Sequence, residues 1–161
     1  MFKFKNKNYL QILFISSILI LSSAFIIEYG LGFQPCSLCI IERIPYGLSI
    51  LILILNHNFN KNQNFFSILL ILVFLFSILI SIYHLGIEQE FIEESALCKT
   101  EDLNLITKED VLNSLQELRI SCKNVAFKIF GLSLTTYNIF LSILMFLLST
   151  KVYLLSNDTK K

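Results

Sequence analysis

The sequence predicts an all-α membrane protein, a four-transmembrane-helix bundle with one long loop outside the bilayer. Three observations predict it. The 161 residues are 55% hydrophobic and 16% charged, with a mean hydropathy of +0.68, whereas a soluble domain of this length carries more charge and shorter apolar runs. Four stretches approach the roughly 20 apolar helical residues that cross a hydrocarbon core of about 30 Å. The segments between them divide by charge, basic on one side and acidic on the other. The length fits a single domain over residues 1–161. A formal net charge of +1 gives no footprint for nucleic acid, so the expected surroundings are lipid.

The first span covers about 9–27, after Lys3, Lys5 and Lys7. Its basic start and the small residues Ser22-Ser23-Ala24 also fit a cleavable signal peptide. The apolar run continues through Phe25, Ile26 and Ile27, which favours a retained helix. A compact loop follows at 28–39. The second span, about 40–55, is the shortest and has Glu42 and Arg43 near its start. A charge at mid-membrane is costly, so both are expected at headgroup level or snorkelling towards it. Pro45 is expected to kink an early turn of this span. Residues 56–64 form a polar turn, and the third span, about 65–85, is uncharged apart from a possible proton on His84. A long segment, 86–130, leads to the fourth span at about 131–150, which Lys151 closes.

Charge orients these elements. The N-terminal tail, the 56–64 turn and the C-terminal tail together hold seven basic residues and one acid, Asp158. The long segment holds nine acids and five bases. By the positive-inside rule, both termini and the turn are cytoplasmic, and loops 28–39 and 86–130 face outward. Within the long loop, Thr107 is a candidate N-cap for a short amphipathic helix bearing Val111, Leu112, Leu115 and Leu118 at helical spacing. It is expected to lie on the membrane or on the bundle.

All four cysteines, Cys36, Cys39, Cys98 and Cys122, fall in the two outward loops. Cysteine otherwise behaves as a small buried hydrophobe, so its absence from the apolar spans is informative. The outward side is where disulfides persist in bacteria. Cys36-Ser37-Leu38-Cys39 is a C-x-x-C where the first loop becomes the second span, and Pro35 before it suits a helix start. A helix N-terminus favours a thiolate. Arg43, four residues past Cys39, is expected to add a positive charge on the same face. It would also support negative charge developing on a nearby acceptor.

Three chemistries fit four such cysteines. Two stapling disulfides would suit Cys98 and Cys122, whose bridge could contribute about 3 kcal/mol, but a bridge across two residues constrains almost nothing. A four-thiolate zinc site needs two knuckles; only one is present, so no metal is expected. The third is disulfide exchange between an outer pair that meets a soluble partner and a membrane-edge pair that meets a lipid-soluble oxidant. It uses every unusual feature at once and is the favoured reading.

The run Gln34-Pro35-Cys36-Ser37-Leu38-Cys39-Ile40-Ile41-Glu42-Arg43 resembles the disulfide bond formation protein B (DsbB) family. So do Tyr83-His84-Leu85-Gly86-Ile87-Glu88, the isolated Cys98 and Cys122, and Phe130-Gly131-Leu132-Ser133-Leu134. The resemblance covers roughly residues 9–155 in the same order. It implies a bacterial inner-membrane thiol oxidase that reoxidises a periplasmic DsbA-like thioredoxin-fold protein and passes the electrons to a quinone, ubiquinone or menaquinone. It implies redox disulfides Cys36–Cys39 and Cys98–Cys122. Cys98 is similar to the residue attacked by the partner, and Cys122 to its released pairing cysteine, which then attacks at Cys36. Cys39 is similar to the donor to quinone, and Arg43 to a quinone-supporting residue.

His84 is a further candidate beside the quinone, although an interfacial histidine is more often simply solvated. Glu42 reads as a salt-bridge partner of Arg43, and Tyr137 and Asn138 as helix-packing residues. A vitamin K epoxide reductase-like quinone oxidoreductase is an alternative, but that family usually places its membrane-edge C-x-x-C at a later span. A non-catalytic scaffold with structural disulfides is an alternative of another class, in which neither pair would exchange readily with a dithiol.

Overall fold

The computed structural model describes residues 2–58, 63–93, 98, 122–123, 128–129 and 131–158. Four helical segments in it are long and apolar enough to cross a membrane: Lys7–Gly30, Ser37–Asn58, Gln63–Glu88 and Leu134–Asn157. Each is longer than its sequence estimate, because a polar or charged residue can end the stretch that suits hydrocarbon without ending the helix. Lys151, for instance, is an exposed residue within α5 (Leu134–Asp158) and not its terminus.

The first segment is α1 (Phe2–Phe25), which passes directly into a π-helical turn, Ile26–Gly30. Glu28 therefore belongs to a helix and not to the loop where the sequence put it. The second segment is broken. α2 (Ser37–Ile41) stops, Glu42 and Arg43 form a turn, and α3 (Ile44–Asn58) begins. Proline accounts for the break: Pro45 has no N–H to donate to the carbonyl four residues back, at Ile41. Arg43 N–H turns to the Ile40 carbonyl instead, at 3.2 Å. The third segment is α4 (Gln63–Glu88).

A feature absent from the all-helical expectation precedes α5. Strands β1 (Lys128–Ile129) and β2 (Leu132–Ser133) pair antiparallel, with Gly131 at φ +83° in the turn, a conformation that favours glycine. Ser133 Oγ then accepts the Thr136 N–H at 3.3 Å and caps α5. The amphipathic helix expected near 107–118 lies outside the described residues.

α4 packs most extensively on α5, while α3 lies against both α1 and α4, and α1 against α5. This closes a four-helix bundle. Its core is Leu13, Tyr46, Ile52, Leu53, Leu70, Phe74, Met145 and Val152. Small polar residues line the helix seams. Ser49 donates to Ser17 at 2.8 Å and Ser77 meets Ser142 at 2.8 Å, joining α3 to α1 and α4 to α5. Small residues let apolar helices approach closely in lipid, and their hydroxyls bond across the seam. The outward face is the reverse: Leu19, Leu51, Phe65, Leu72, Phe76, Phe140 and Leu147 all project from the bundle. A second cluster, at the cysteine end, packs Cys36, Leu38, Ile87, Cys98 and Cys122 together with Tyr83 and Ile41.

Candidate redox site

Cys36 is the N-cap of α2. Its sulfur accepts the Cys39 N–H at 3.3 Å, so the helix start supports negative charge on that atom. The Cys39 sulfur lies 2.7 Å from it. The Cys36–Cys39 bridge implied by the resemblance is open, and both are free thiols. One turn of helix brings the two sulfurs together in either redox state. Cys98 and Cys122 are joined in a disulfide, with Cα atoms 5.3 Å apart.

His84, one turn before the end of α4, is 3% exposed. It is thus not the solvated histidine that an interfacial position suggested. Its Nε2 lies 3.5 Å from Cys36 Sγ and its Nδ1 lies 2.9 Å from Glu42 Oε1. A carboxylate only accepts, so Nδ1 carries a proton, and Nε2 is the atom turned to the thiol. Thr135 Oγ1 stands 3.4 Å from Nδ1 as a second neighbour. The other Glu42 oxygen accepts from Asn138 Nδ2 at 3.0 Å; Asn138 also donates to Ser81 at 2.8 Å and accepts from Tyr46 at 2.6 Å. Glu42 is therefore a partner of His84 and Asn138, not of Arg43. The Cys36 thiol is drawn from its ordinary 9.0 down to about 4, chiefly by the hydrogen bond with Cys39, against the opposing effect of burial, with His84 adding to the fall.

Arg43 likewise finds its partner on another element. Beyond the break at 42–43 its side chain pairs with Glu28 of the π turn, and it lines the same cavity as Cys39. The guanidinium also lies 5.2 Å from the centre of the Phe25 ring. Each of the two charges, Glu42 and Arg43, has a partner inside the protein, which offsets the cost of placing it beside an apolar span.

These groups surround one cavity of about 180 Å³. Apolar residues of α1 and α5, including Ile20, Ala24 and Leu141, line one part. Cys36, Cys39, Glu42, Arg43 and His84 line another, and Cys122 of the disulfide reaches the same wall. The cavity thus brings together all the candidate residues except Cys98, which packs beside Cys36 in the cysteine-end cluster.

The model of the family "Disulfide bond formation protein DsbB" matches residues 6–152. The chain belongs to the DsbB family. It is also 33% identical over 135 residues to an uncharacterized protein of Rickettsia prowazekii (strain Madrid E), covering 79% of this chain and 76% of that one. Membership of the DsbB family, with four apolar helices, makes this a multi-pass membrane protein of disulfide bond formation.

The roles of three site residues are not evident in the sequence. Glu28 reads there as a loop residue, although an acid at the end of an apolar span points to a partner within the protein. Glu42 has its nearest opposite charge in Arg43, and Asn138 has the look of a packing residue. The signal for those two was weak, since their pairing depends on a helix break and on contacts between helices.

Proposed function

We propose that this DsbB-family protein reoxidises a periplasmic thioredoxin-fold dithiol oxidase and delivers the electrons to a membrane quinone. It would sit in the inner membrane with both termini cytoplasmic, the orientation its basic residues favour. The observation that carries the reading is the shared cavity: a dithiol and a disulfide border one space whose remaining wall is largely apolar.

The exchange proceeds by attack of thiolate on disulfide sulfur. A thiolate of the partner attacks Cys98, and Cys122 leaves as a thiolate. Cys122 then attacks Cys36 of the oxidised Cys36–Cys39 pair, releasing Cys39. The partner's second thiol resolves its mixed disulfide with Cys98, so the partner leaves oxidised. Cys98 next resolves the bond between Cys122 and Cys36. The outer disulfide is restored, and two electrons rest on Cys36 and Cys39.

A quinone, when bound, supplies the two-electron acceptor that reoxidises this pair. The fit is reasonable: the cavity offers an apolar wall for a ring, a guanidinium for a carbonyl oxygen, and Cys39 on the same surface. Glu28 and Phe25 hold Arg43 in place there. His84, positioned by Glu42, stands at Cys36 Sγ to hold the proton that thiol gives up.

Cys39→Ser tests the order. In this variant quinone reduction should stop, while a partner whose second cysteine is replaced by serine should still be captured as a mixed disulfide at Cys98. Full turnover by it would refute the assignment of Cys39 as electron donor.

A further inference from the structure

Cys36 Sγ, Cys39 Sγ and His84 Nε2 all lie within 4.8 Å of one another. Thiolate and imidazole are the ligand types that select zinc, cuprous copper and related soft cations. We infer that Cys36, Cys39 and His84 form a three-ligand site for a soft cation, present only while the cysteine pair is reduced.

The spacing fits. With metal–sulfur and metal–nitrogen bonds of about 2.3 Å and 2.0 Å at a tetrahedral angle, the two ligand atoms stand about 3.5 Å apart. Cys36 Sγ and His84 Nε2 are 3.5 Å apart. Two thiolates on one metal stand about 3.8 Å apart by the same geometry, so Cys39 Sγ, now at 2.7 Å, must move about 1 Å away from Cys36. It is half-buried and lines the cavity, which gives it room to do so.

A second feature points the same way. Metal-bound histidine usually donates its other ring N–H to a carboxylate, which fixes the ring and raises its basicity. His84 Nδ1 already has Glu42 Oε1 at 2.9 Å, and Glu42 is itself held by Asn138. The imidazole is thus oriented before any ion arrives. The cavity of about 180 Å³ leaves the fourth position open to a water, whose share of liquid volume is about 30 Å³. Binding balances simply: each thiol gives up its proton as its metal–sulfur bond forms, two protons leave for solvent, and no electron moves. Closing the Cys36–Cys39 disulfide removes two of the three ligands and ejects the ion. If the pair works as proposed above, occupancy takes both sulfurs out of exchange, so such an ion inhibits the oxidase. That consequence rests on the proposed function; the binding itself does not.

The experiment is anaerobic titration of the full-length protein in detergent with Co²⁺, after reduction by a phosphine that does not bind metal. One ion per chain is expected, with a thiolate-to-cobalt charge-transfer band that Zn²⁺ displaces and that the oxidised chain lacks. The band should persist in the Cys122→Ser variant. Glu42→Gln should weaken binding about ten- to a hundredfold, and His84→Ala should weaken it further. Absence of the band in the reduced wild-type chain would overturn the site. So would its loss in Cys122→Ser, or an affinity unchanged in His84→Ala. No turnover enters the readout, so quinone reduction can fail while the site stands, and the reverse.

Discussion

Replacing Glu42 by glutamine changes one heavy atom and tests the polar network that lines the cavity. The carboxylate faces two donors: His84 Nδ1 at 2.9 Å on one oxygen and Asn138 Nδ2 at 3.0 Å on the other. An amide of the same shape presents one acceptor and one donor, so it can serve only one of them. Rotating the Asn138 amide is no remedy, because Asn138 already donates to Ser81 and accepts from Tyr46. One buried donor loses its acceptor, at a cost of about 1–3 kcal/mol. The lower end is expected, since His84 keeps Thr135 and Asn138 keeps Ser81 as alternatives. The assay is reversible unfolding in mixed micelles, run as a double-mutant cycle with Asn138→Ala. Removing the competing donor should relieve the glutamine, so the double variant should be more stable than the sum of the single losses by about 0.5 kcal/mol or more. Strict additivity would refute the claim that Glu42 and Asn138 bond to each other.

Other perturbations separate the site from its scaffold. Arg43→Ala removes a charged hydrogen-bond donor from the cavity wall, so the KM for quinone should rise about ten- to a hundredfold while capture of the partner at Cys98 persists. An unchanged KM would take Arg43 out of the quinone site. Phe74 is wholly buried in the bundle core whereas Phe76, on the same helix, is 56% exposed. Phe74→Ala should cost about 3–5 kcal/mol and Phe76→Ala at most about 0.5 kcal/mol. Similar losses from the two in micelle unfolding would contradict the helix orientation described.

The sequence made the architecture legible because lipid imposes simple rules: span length, absence of charge, and the side on which lysines gather. It also made the cysteines legible, since Cys36 and Cys39 lie three residues apart and helical geometry must bring them together. The site's polar half was harder to see. Pro45 marks a kink in the sequence, but not the directions in which that kink turns the side chains before it. It sends Glu42 and Arg43, adjacent in the chain, to His84 on α4 and Glu28 on the π turn. In a sequence the nearest opposite charge is the natural partner, and here each residue's partner comes from another helix. Asn138 presents the same difficulty, because a polar residue in a span serves packing or chemistry depending on what faces it. The β1–β2 hairpin was hidden by its brevity, with only Gly131 to mark it.

The central claim is that one cavity links a thiol-exchanging disulfide to a quinone, and the most direct test is quinone reduction by the purified protein. A reduced thioredoxin-fold dithiol protein is added to the full chain in detergent, and oxidised quinone is followed by absorbance with ubiquinone and menaquinone analogues in turn. The account predicts loss of one quinone per partner disulfide formed, abolished by serine at Cys36, Cys39, Cys98 or Cys122. No reduction of either quinone class by folded protein carrying its Cys98–Cys122 disulfide would contradict it, and would leave a membrane scaffold with a structural disulfide in its place.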